Sequence, residues 1–367
     1  MTTLTESPTF EAAITPATAV IGLGTAVPLL RVPQSEVLDF ILKRFEIGDG
    51  ARELYRRSMR GDAILTRHFA LSSLEECLET DLNKVNARFE RSAVELSVQA
   101  LSRALQAAGV EAASIDFLAA ATCTGYLCPG LSAYIVERAG LRSDVRLADI
   151  VGMGCGAALP TLEQASNFLR ANPGSTAAIV CTEICSAAMY SNEEPGIIVS
   201  NAIFADGAAA LILRAEGDGY EGRGLARVRA FASETRPEWR DTLRFRTDDG
   251  RLKNVLARRV PEQAGEALAA VSARLLTGAG LGMSDVGGWV MHAGGSRVLD
   301  EAERFLHLSG GELAAARKVL RDFGNMSSPT VLFVLAETLR TGMKAGTHAV
   351  MASFGAGFSA HAALLEF

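Results

Sequence analysis

Apolar positions along the chain follow two periods that take turns. FLAAAT (117–122) and AAIVCTEI (177–184) are strand-like, largely apolar runs. GLSAYIVERAGL (130–141) and TLEQASNFLRAN (161–172) instead place apolar residues every third or fourth position, as a half-buried helix does. Strand-like runs alternating with helix-length stretches predict an α/β architecture with a mixed or parallel sheet. The Gly- and charge-rich AEGDGYEGRGLA (215–226) reads as a linker between an N-terminal half, 19–215, and a C-terminal half, 227–367. The charged, non-periodic segment from Glu234 to Leu256 reads as a surface excursion, and SSLEECLETDLNKVNARFE (72–90) as a solvated helical segment. GLGTAV (22–27) lacks the third glycine and acidic follower of a dinucleotide site, so a strand-end turn is expected there.

Sliding the chain against itself uncovers a distant repeat. FLAAATCTG resembles WVMHAGG, GCGAALPTLEQASNFL resembles GNMSSPTVLFVLAETL, and AAIVCTEI resembles HAVMASFG. One register serves all three: 292 − 122, 325 − 155 and 353 − 183 each equal 170. A duplicated α/β unit follows, in which Cys155 of the first copy matches Asn325 of the second and Thr122 matches His292. Each pair sits where a strand end meets a helix start, the place where α/β sheets gather ligands.

Composition narrows the function classes. The 367 residues are 49% hydrophobic, enough for a large core, and contain no apolar run of membrane-spanning length. A formal charge of −6, without basic blocks or aromatic–basic interleaving, argues against nucleic-acid binding. The opening residues lack the basic and apolar regions of a signal peptide, and 1–18 is expected to be a flexible arm. Six cysteines form no CxxC pair and only five histidines are present, so no metal site is expected. Reduced thiols in the cytoplasm are the corresponding expectation. The sequon-like Asn325-Met326-Ser327 then needs an explanation other than glycosylation.

Three residues suggest chemistry. Cys155, between Gly154 and Gly156, is either a compact buried residue in a bend or a nucleophile at a helix N-terminus, where free N–H groups favour a thiolate. On the second reading its pKa falls below the usual value of about 8.5. His292 follows three apolar residues and precedes Ala293 and two glycines, at a strand end; alone it could be structural. Asn325 follows a glycine and could be a helix N-cap. Taken together they supply a nucleophile, its base or ion-pair partner, and a neutral donor for an oxyanion. Pro160 and Pro329 are tolerable only in a first helical turn.

The blocks GMGCGAA, SNAIFADGAAALIL (200–213), HAGG (292–295), GNMSS (324–328) and SFGAGFS (353–359) resemble those of type III polyketide synthases, the chalcone-synthase-like branch of the thiolase fold. The resemblance runs in order from about Val20 to the C-terminus; the loop reads FGAG where many relatives have FGPG. It implies a homodimeric, five-layered αβαβα fold that condenses an acyl-CoA starter with malonyl-CoA. It implies no cofactor beyond the CoA thioesters themselves, no metal and no acyl carrier protein.

Carried over by position, Cys155 is the acyl-accepting nucleophile, and His292 and Asn325 are the other two catalytic positions. Phe204 matches a gatekeeper at the mouth of the cavity; Cys123, Cys185, Ala188 and Ser327 match pocket positions. Cys128 matches a residue that reaches into the dimer partner's cavity, and Gly355 and Gly357 belong to the oxyanion-side loop. Arg67 resembles a contact to CoA phosphates, though a solvated arginine reads equally well. Where plant chalcone-forming relatives carry threonines, Cys123, Cys185 and Ala188 imply a product other than a chalcone.

Two alternatives stay open on the residues alone. A papain-like Cys-His-Asn hydrolase leaves the repeat unexplained, and a non-catalytic partner subunit would not need all three residues. Within the family, DIVGMGC and CTEICSAA (181–188) resemble the branch that makes 3,5-dihydroxyphenylacetyl-CoA from malonyl-CoA, whereas TCTG (122–125) resembles pyrone-, resorcinol- and naphthalene-forming members.

Overall fold

A computed structural model describes residues 17–215 and 224–367. Most of the expected arm and the middle of the expected linker therefore lie outside the described residues.

The strands are β1 (Thr18–Ala26), β2 (Leu30–Pro33), β3 (Thr66–Phe69), β4 (Phe117–Ala121), β5 (Arg146–Ile150), β6 (Thr176–Ile184), β7 (Asp206–Ala215), β8 (Ala226–Thr235), β9 (Leu243–Asp248), β10 (Arg251–Leu256), β11 (Val286–Met291), β12 (His348–Gly355) and β13 (Ser359–Glu366). The helices are α1 (Gln34–Arg44), α2 (Asp49–Ser58), α3 (Leu82–Ala108), α4 (Leu131–Ala139), α5 (Ala158–Ala171), α6 (Pro195–Ile203), α7 (Val260–Gly278), α8 (Ser296–Leu306), α9 (Ala314–Phe323) and α10 (Thr330–Thr341).

Nine strands form one mixed sheet in the order β11-β12-β13-β8-β1-β7-β6-β4-β5. The joint between its two halves is short: only Thr18–Val20 of β1 pairs with Ala226–Val228 of β8. Helices α3 and α4 cover the outer face of the first half, and α7, with α8 packed against it, that of the second. Helices α5 and α10 lie between, each touching strands of both halves, which completes an αβαβα stack of five layers. The continuous apolar runs are explained by this: β6 and most of β7 are buried from end to end because helices cover both faces.

The duplication appears where the register of 170 places it. β4 corresponds to β11, α5 to α10 and β6 to β12, and His292 follows directly on the end of β11. Pro160 falls in the first turn of α5 and Pro329 is the N-cap of α10, so neither removes a needed N–H.

Three segments differ from expectation. GLGTAV is at the end of β1 as expected, but Gly22–Ala26 are strand and not turn, and the two glycines let α3 cross it closely. A Cβ at Gly22 or Gly24 would collide with the carbonyls of Ala104 and Ala100. The 72–90 segment is not one solvated helix: a short 3-10 turn, Leu74–Leu78, precedes Asp81, whose side chain caps α3. Val85 and Phe89 of that helix are buried. Finally, Glu234–Leu256 is no surface excursion. It carries the end of β8 and the β9–β10 hairpin, whose charged outer positions hide the inward Leu243, Phe245 and Asn254. The hairpin closes one wall of the cavity that holds Cys155.

Candidate active site

The chain leaves β5, passes a 3-10 turn at Gly154–Gly156, and enters α5. Two of the flanking glycines have separate reasons. Gly154 has φ 56°, the left-handed region that a side chain disfavours. At Gly156 the end of β12 comes so close that a Cβ would stand 3.2 Å from the Gly355 nitrogen and 3.3 Å from His361 Cδ2. Gly355 in turn has no room for a Cβ, because the Met153 carbonyl and the Gly156 N–H occupy that space. The glycine frame thus lets two loops touch backbone to backbone beneath Cys155.

Cys155 opens onto a cavity that is in part open to solvent. Cys123, Cys185, Ala188, Phe204 and Ser327 all line it, together with Thr124, Phe69, Met189 and the hairpin residues Arg244, Phe245 and Asn254. His292 and Asn325 are not in that lining, but a chain of contacts joins them to it. Cys155 Sγ is 3.2 Å from Ser327 Oγ, and the Ser327 N–H donates to Asn325 Oδ1 at 2.8 Å. Asn325 Nδ2 donates to the Gly294 carbonyl at 3.1 Å, and the Gly294 N–H donates to the His292 carbonyl at 3.0 Å. The end of β12 serves both sides. Phe354 packs edge-on against the His292 ring, and Ser353 Oγ donates to the Gly156 carbonyl at 3.3 Å.

Asn325 is not a helix cap. Helix α10 begins only at Thr330, and Asn325 instead pairs with Phe204 in an isolated parallel bridge. Its N–H donates to the Ile203 carbonyl and its carbonyl accepts from the Ala205 N–H, both at 2.9 Å.

Electrostatics at the site are governed by burial. Desolvation pushes the Cys155 thiol up to about 12, with the Ser327 hydroxyl opposing the rise and the Glu183 carboxyl adding to it. This overturns the expectation of a thiol below its ordinary range. The His292 imidazole is pushed down to about 3 by burial alone, and neither ring nitrogen has a hydrogen-bond partner among the described residues. Each charge on its own is therefore costly.

Sequence reasoning passed over Glu183. It is fully buried at the end of β6, and one loop and one helix start converge on it. Thr124 donates from its N–H (3.1 Å) and its hydroxyl (2.8 Å), Cys123 from its N–H (2.9 Å), and Ser328 from its hydroxyl (2.6 Å). Burial raises its pKa against these bonds, Ser328 being the strongest opposing one. A carboxylate inside the apolar run AAIVCTEI was the available signal.

Two placements need comment. Arg67 is not at a CoA-binding surface: it is wholly buried and pointed inward. In β3 it shares parity with Phe69, and the alternation turns both into the core while Thr66 and His68 stay half-exposed. Cys128 is exposed and lies outside the lining of its own chain's cavity. Gly355 ends β12 against the Cys155 turn, and Gly357 follows with φ 137°. Among the described residues no helix is long and apolar enough to cross a membrane.

The duplicated α/β unit, with a thiol, an amide and an imidazole at its strand and helix junctions, defines a protein of thiolase-like fold. This excludes the papain-like reading. Residues 31–278 match the family model described as FAE1/type III polyketide synthase-like protein, and 231–366 match the chalcone and stilbene synthase C-terminal domain. The chain belongs to the type III polyketide synthase family.

Among its relatives is the 3,5-dihydroxyphenylacetyl-CoA synthase of Streptomyces toyocaensis, 33% identical, with 96% of this chain and 90% of that protein covered. The 1,3,6,8-tetrahydroxynaphthalene synthase of Streptomyces peucetius subsp. caesius is 31% identical, with 95% and 93% covered. Among solved structures, PKS-I of the brown alga Ectocarpus siliculosus superposes with a TM-score of 0.88 at 26% identity, covering 96% of this chain and 98% of that one.

Proposed function

We propose that the protein loads an acyl-CoA or malonyl-derived starter on Cys155 and extends it with malonyl-CoA by iterative decarboxylative Claisen condensation. The product then cyclises to a pyrone, a resorcinol or another small aromatic. The observation that carries this reading is the buried, unpartnered His292 imidazole, linked through Asn325 and Ser327 to the cavity thiol. A buried polar group without a protein partner fits a ligand oxygen.

Cys155 passes its proton to His292 as its sulfur attacks the starter thioester. The tetrahedral intermediate collapses, CoA leaves with that proton, and the acyl group stays on sulfur. Malonyl-CoA then loses CO2, and the electron pair of the broken C–C bond becomes an enolate. Its oxygen is held by a neutral His292 N–H and by the second Asn325 Nδ2 hydrogen, the first being committed to Gly294. The enolate carbon attacks the acyl-Cys155 carbonyl and sulfur leaves as thiolate, ready to accept the lengthened chain. No metal or further cofactor enters this scheme.

The chain works as a cytoplasmic homodimer on this reading. The edge strand β5 and its surroundings expose Tyr126, Leu147 and Val151, a face suited to a second copy, with the exposed Cys128 beside it. A second reading, malonyl-CoA as starter and extender alike, is favoured by the 33% relative named for 3,5-dihydroxyphenylacetyl-CoA synthesis.

Mass spectrometry of products from malonyl-CoA alone and with aliphatic and aryl acyl-CoA starters separates these readings. Aromatic or pyrone products are expected, and they disappear in Cys155→Ala. Efficient chalcone formation from an aryl-CoA contradicts the inferred product class, and products persisting in Cys155→Ala overturn the mechanism.

A further inference from the structure

Helix α6 ends immediately before Phe204, and the last carbonyls of a helix have no partner within it. Here every one of them is gripped from outside. Arg67 Nη1 donates to the carbonyls of Asn201 (2.7 Å) and Phe204 (2.8 Å). Gln34 Nε2 donates to Ala202 (2.8 Å), and the Asn325 N–H donates to Ile203 (2.9 Å). Gln34 and Arg67 are themselves joined, Arg67 Nε donating to Gln34 Oε1 at 2.8 Å.

A cation at a helix C-terminus is favoured by the helix dipole, most strongly where water is excluded. Arg67 is fully buried and its guanidinium lies 5.0 Å from the centre of the Phe69 ring; burial lowers its pKa to about 10, with Asp206 among the groups that oppose the fall. Gly324, next to Asn325, is fitted to it: a Cβ there would stand 2.9 Å from Arg67 Cγ. One buried side chain thus packs against the backbone on both sides of the Phe204–Asn325 bridge.

We propose that Arg67, seated by Gln34, is a positioning residue that fixes Phe204 in the cavity wall and, through the bridge, holds Asn325 against its Gly294 partner. It touches no substrate. Its effect is to hold the width of the opening beside Cys155 and the donor geometry on the far side at one setting. This rests on the reading of the cavity as the polyketide-forming site, but it concerns a clamp whose geometry can be probed without turnover.

The test compares wild type with Arg67→Met, Arg67→Lys and Gln34→Leu. Cys155 is alkylated with a small reagent, iodoacetamide, and a bulky one, N-phenylmaleimide, and labelling is read on the Cys155 peptide by mass spectrometry. In Arg67→Met the bulky-to-small rate ratio rises about tenfold, a displacement of about an ångström at the wall being enough to move reactivity this much. Arg67→Lys, which keeps the charge but not the fork, gives a partial rise, and Gln34→Leu gives a smaller one. In turnover, kcat falls more than KM rises, and shorter products accumulate at the expense of the longest.

A ratio within twofold of wild type in a folded variant, with only the melting temperature lowered, makes Arg67 a structural residue and overturns the proposal. Should Arg67→Met fail to fold, Gln34→Leu carries the same comparison, since it removes one bond to Arg67 and one to Ala202. The labelling ratio answers even if the wild type makes no polyketide, so the clamp and the proposed function fail separately.

Discussion

The two halves keep the same chemistry-bearing junctions and differ at their edges. In the first, the chain goes from β4 through α4 to the edge strand β5, and only then to Cys155. In the second, it goes from β11 through α8, and residues 316–320, which match β5 in register, lie inside helix α9. The sheet accordingly ends at β5 on one side and at β11 on the other. RLADI, half-exposed along an edge, and the amphipathic AAARKVLRDF have diverged in period, while the turns after them still deliver Cys155 and Asn325. Copies of a unit can exchange a strand for a helix at the periphery. They cannot do so where α5 and α10 pack into the shared middle layer.

The halves also differ in how they treat charge. Position 183 is a buried glutamate that organises the Thr122–Thr124 loop, and the matching position 353 is a serine. The strand end beside Glu183 carries Thr122; the strand end beside Ser353 carries His292, unpartnered. At this pair of positions Thr122 has a partner in Glu183, whereas the His292 ring nitrogens have none among the described residues.

The largest effect should separate the two copies chemically. Asn325→Ala is expected to lower malonyl-CoA decarboxylation by about 10²–10³, the usual cost of one oxyanion donor. Cys155→Ala should leave decarboxylation running while abolishing condensation. Release of CO2, measured beside product formation, reads both; normal decarboxylation in Asn325→Ala would reduce that residue to a bridge partner.

A smaller contrast is expected in stability. Glu183→Ala strands the donors of Thr122, Cys123, Thr124 and Ser328 and should cost about 3 kcal/mol or more, against about 1 kcal/mol for Ser353→Ala. Urea denaturation measures both, and equal losses would show that the halves bear the same polar load.

A further effect is set by pH. The folded-state pKa values of His292 and His361 lie below the unfolded value, at about 3 and about 4, because burial disfavours the imidazolium. Both are neutral in either state above about pH 6.5, so stability is complete there. Below it the unfolded chain binds the extra protons, and stability falls by up to about 1.4 kcal/mol per pH unit for each histidine until the folded pKa is reached. Melting temperatures between pH 7 and 5 should show the slope, and His361→Asn should remove part of it. An unchanged slope would place the loss elsewhere.

Much of this was legible in the chain itself. Where one period dominates, as in FLAAAT or TLEQASNFLRAN, residues and elements agree, and the register of 170 located the site before any coordinates. What escaped had competing signals. The β9–β10 hairpin sets the exposed Arg246 and the half-buried Arg244 and Arg251 beside its few inward residues, and the charges conceal the alternation. Arg67 escaped because an arginine reads as solvated unless its partners are known, and those partners come from residues 34, 201 and 204. Asn325 looked like a cap because sequence shows the helix after it but not the strand-like neighbour at Phe204. Long-range partners decide such cases, and local pattern does not contain them.

The position of β13 has a consequence for synthesis on the ribosome. It lies between β12 and β8, so the second half's sheet cannot close until residues 359–366 have emerged. β8 ends at Thr235, about 120 residues earlier, which at ~5–20 residues per second is a wait of roughly 6–25 s. During that interval the nascent chain shows one unpaired edge of β8 and the uncovered face of α5, the kind of surface that chaperones capture.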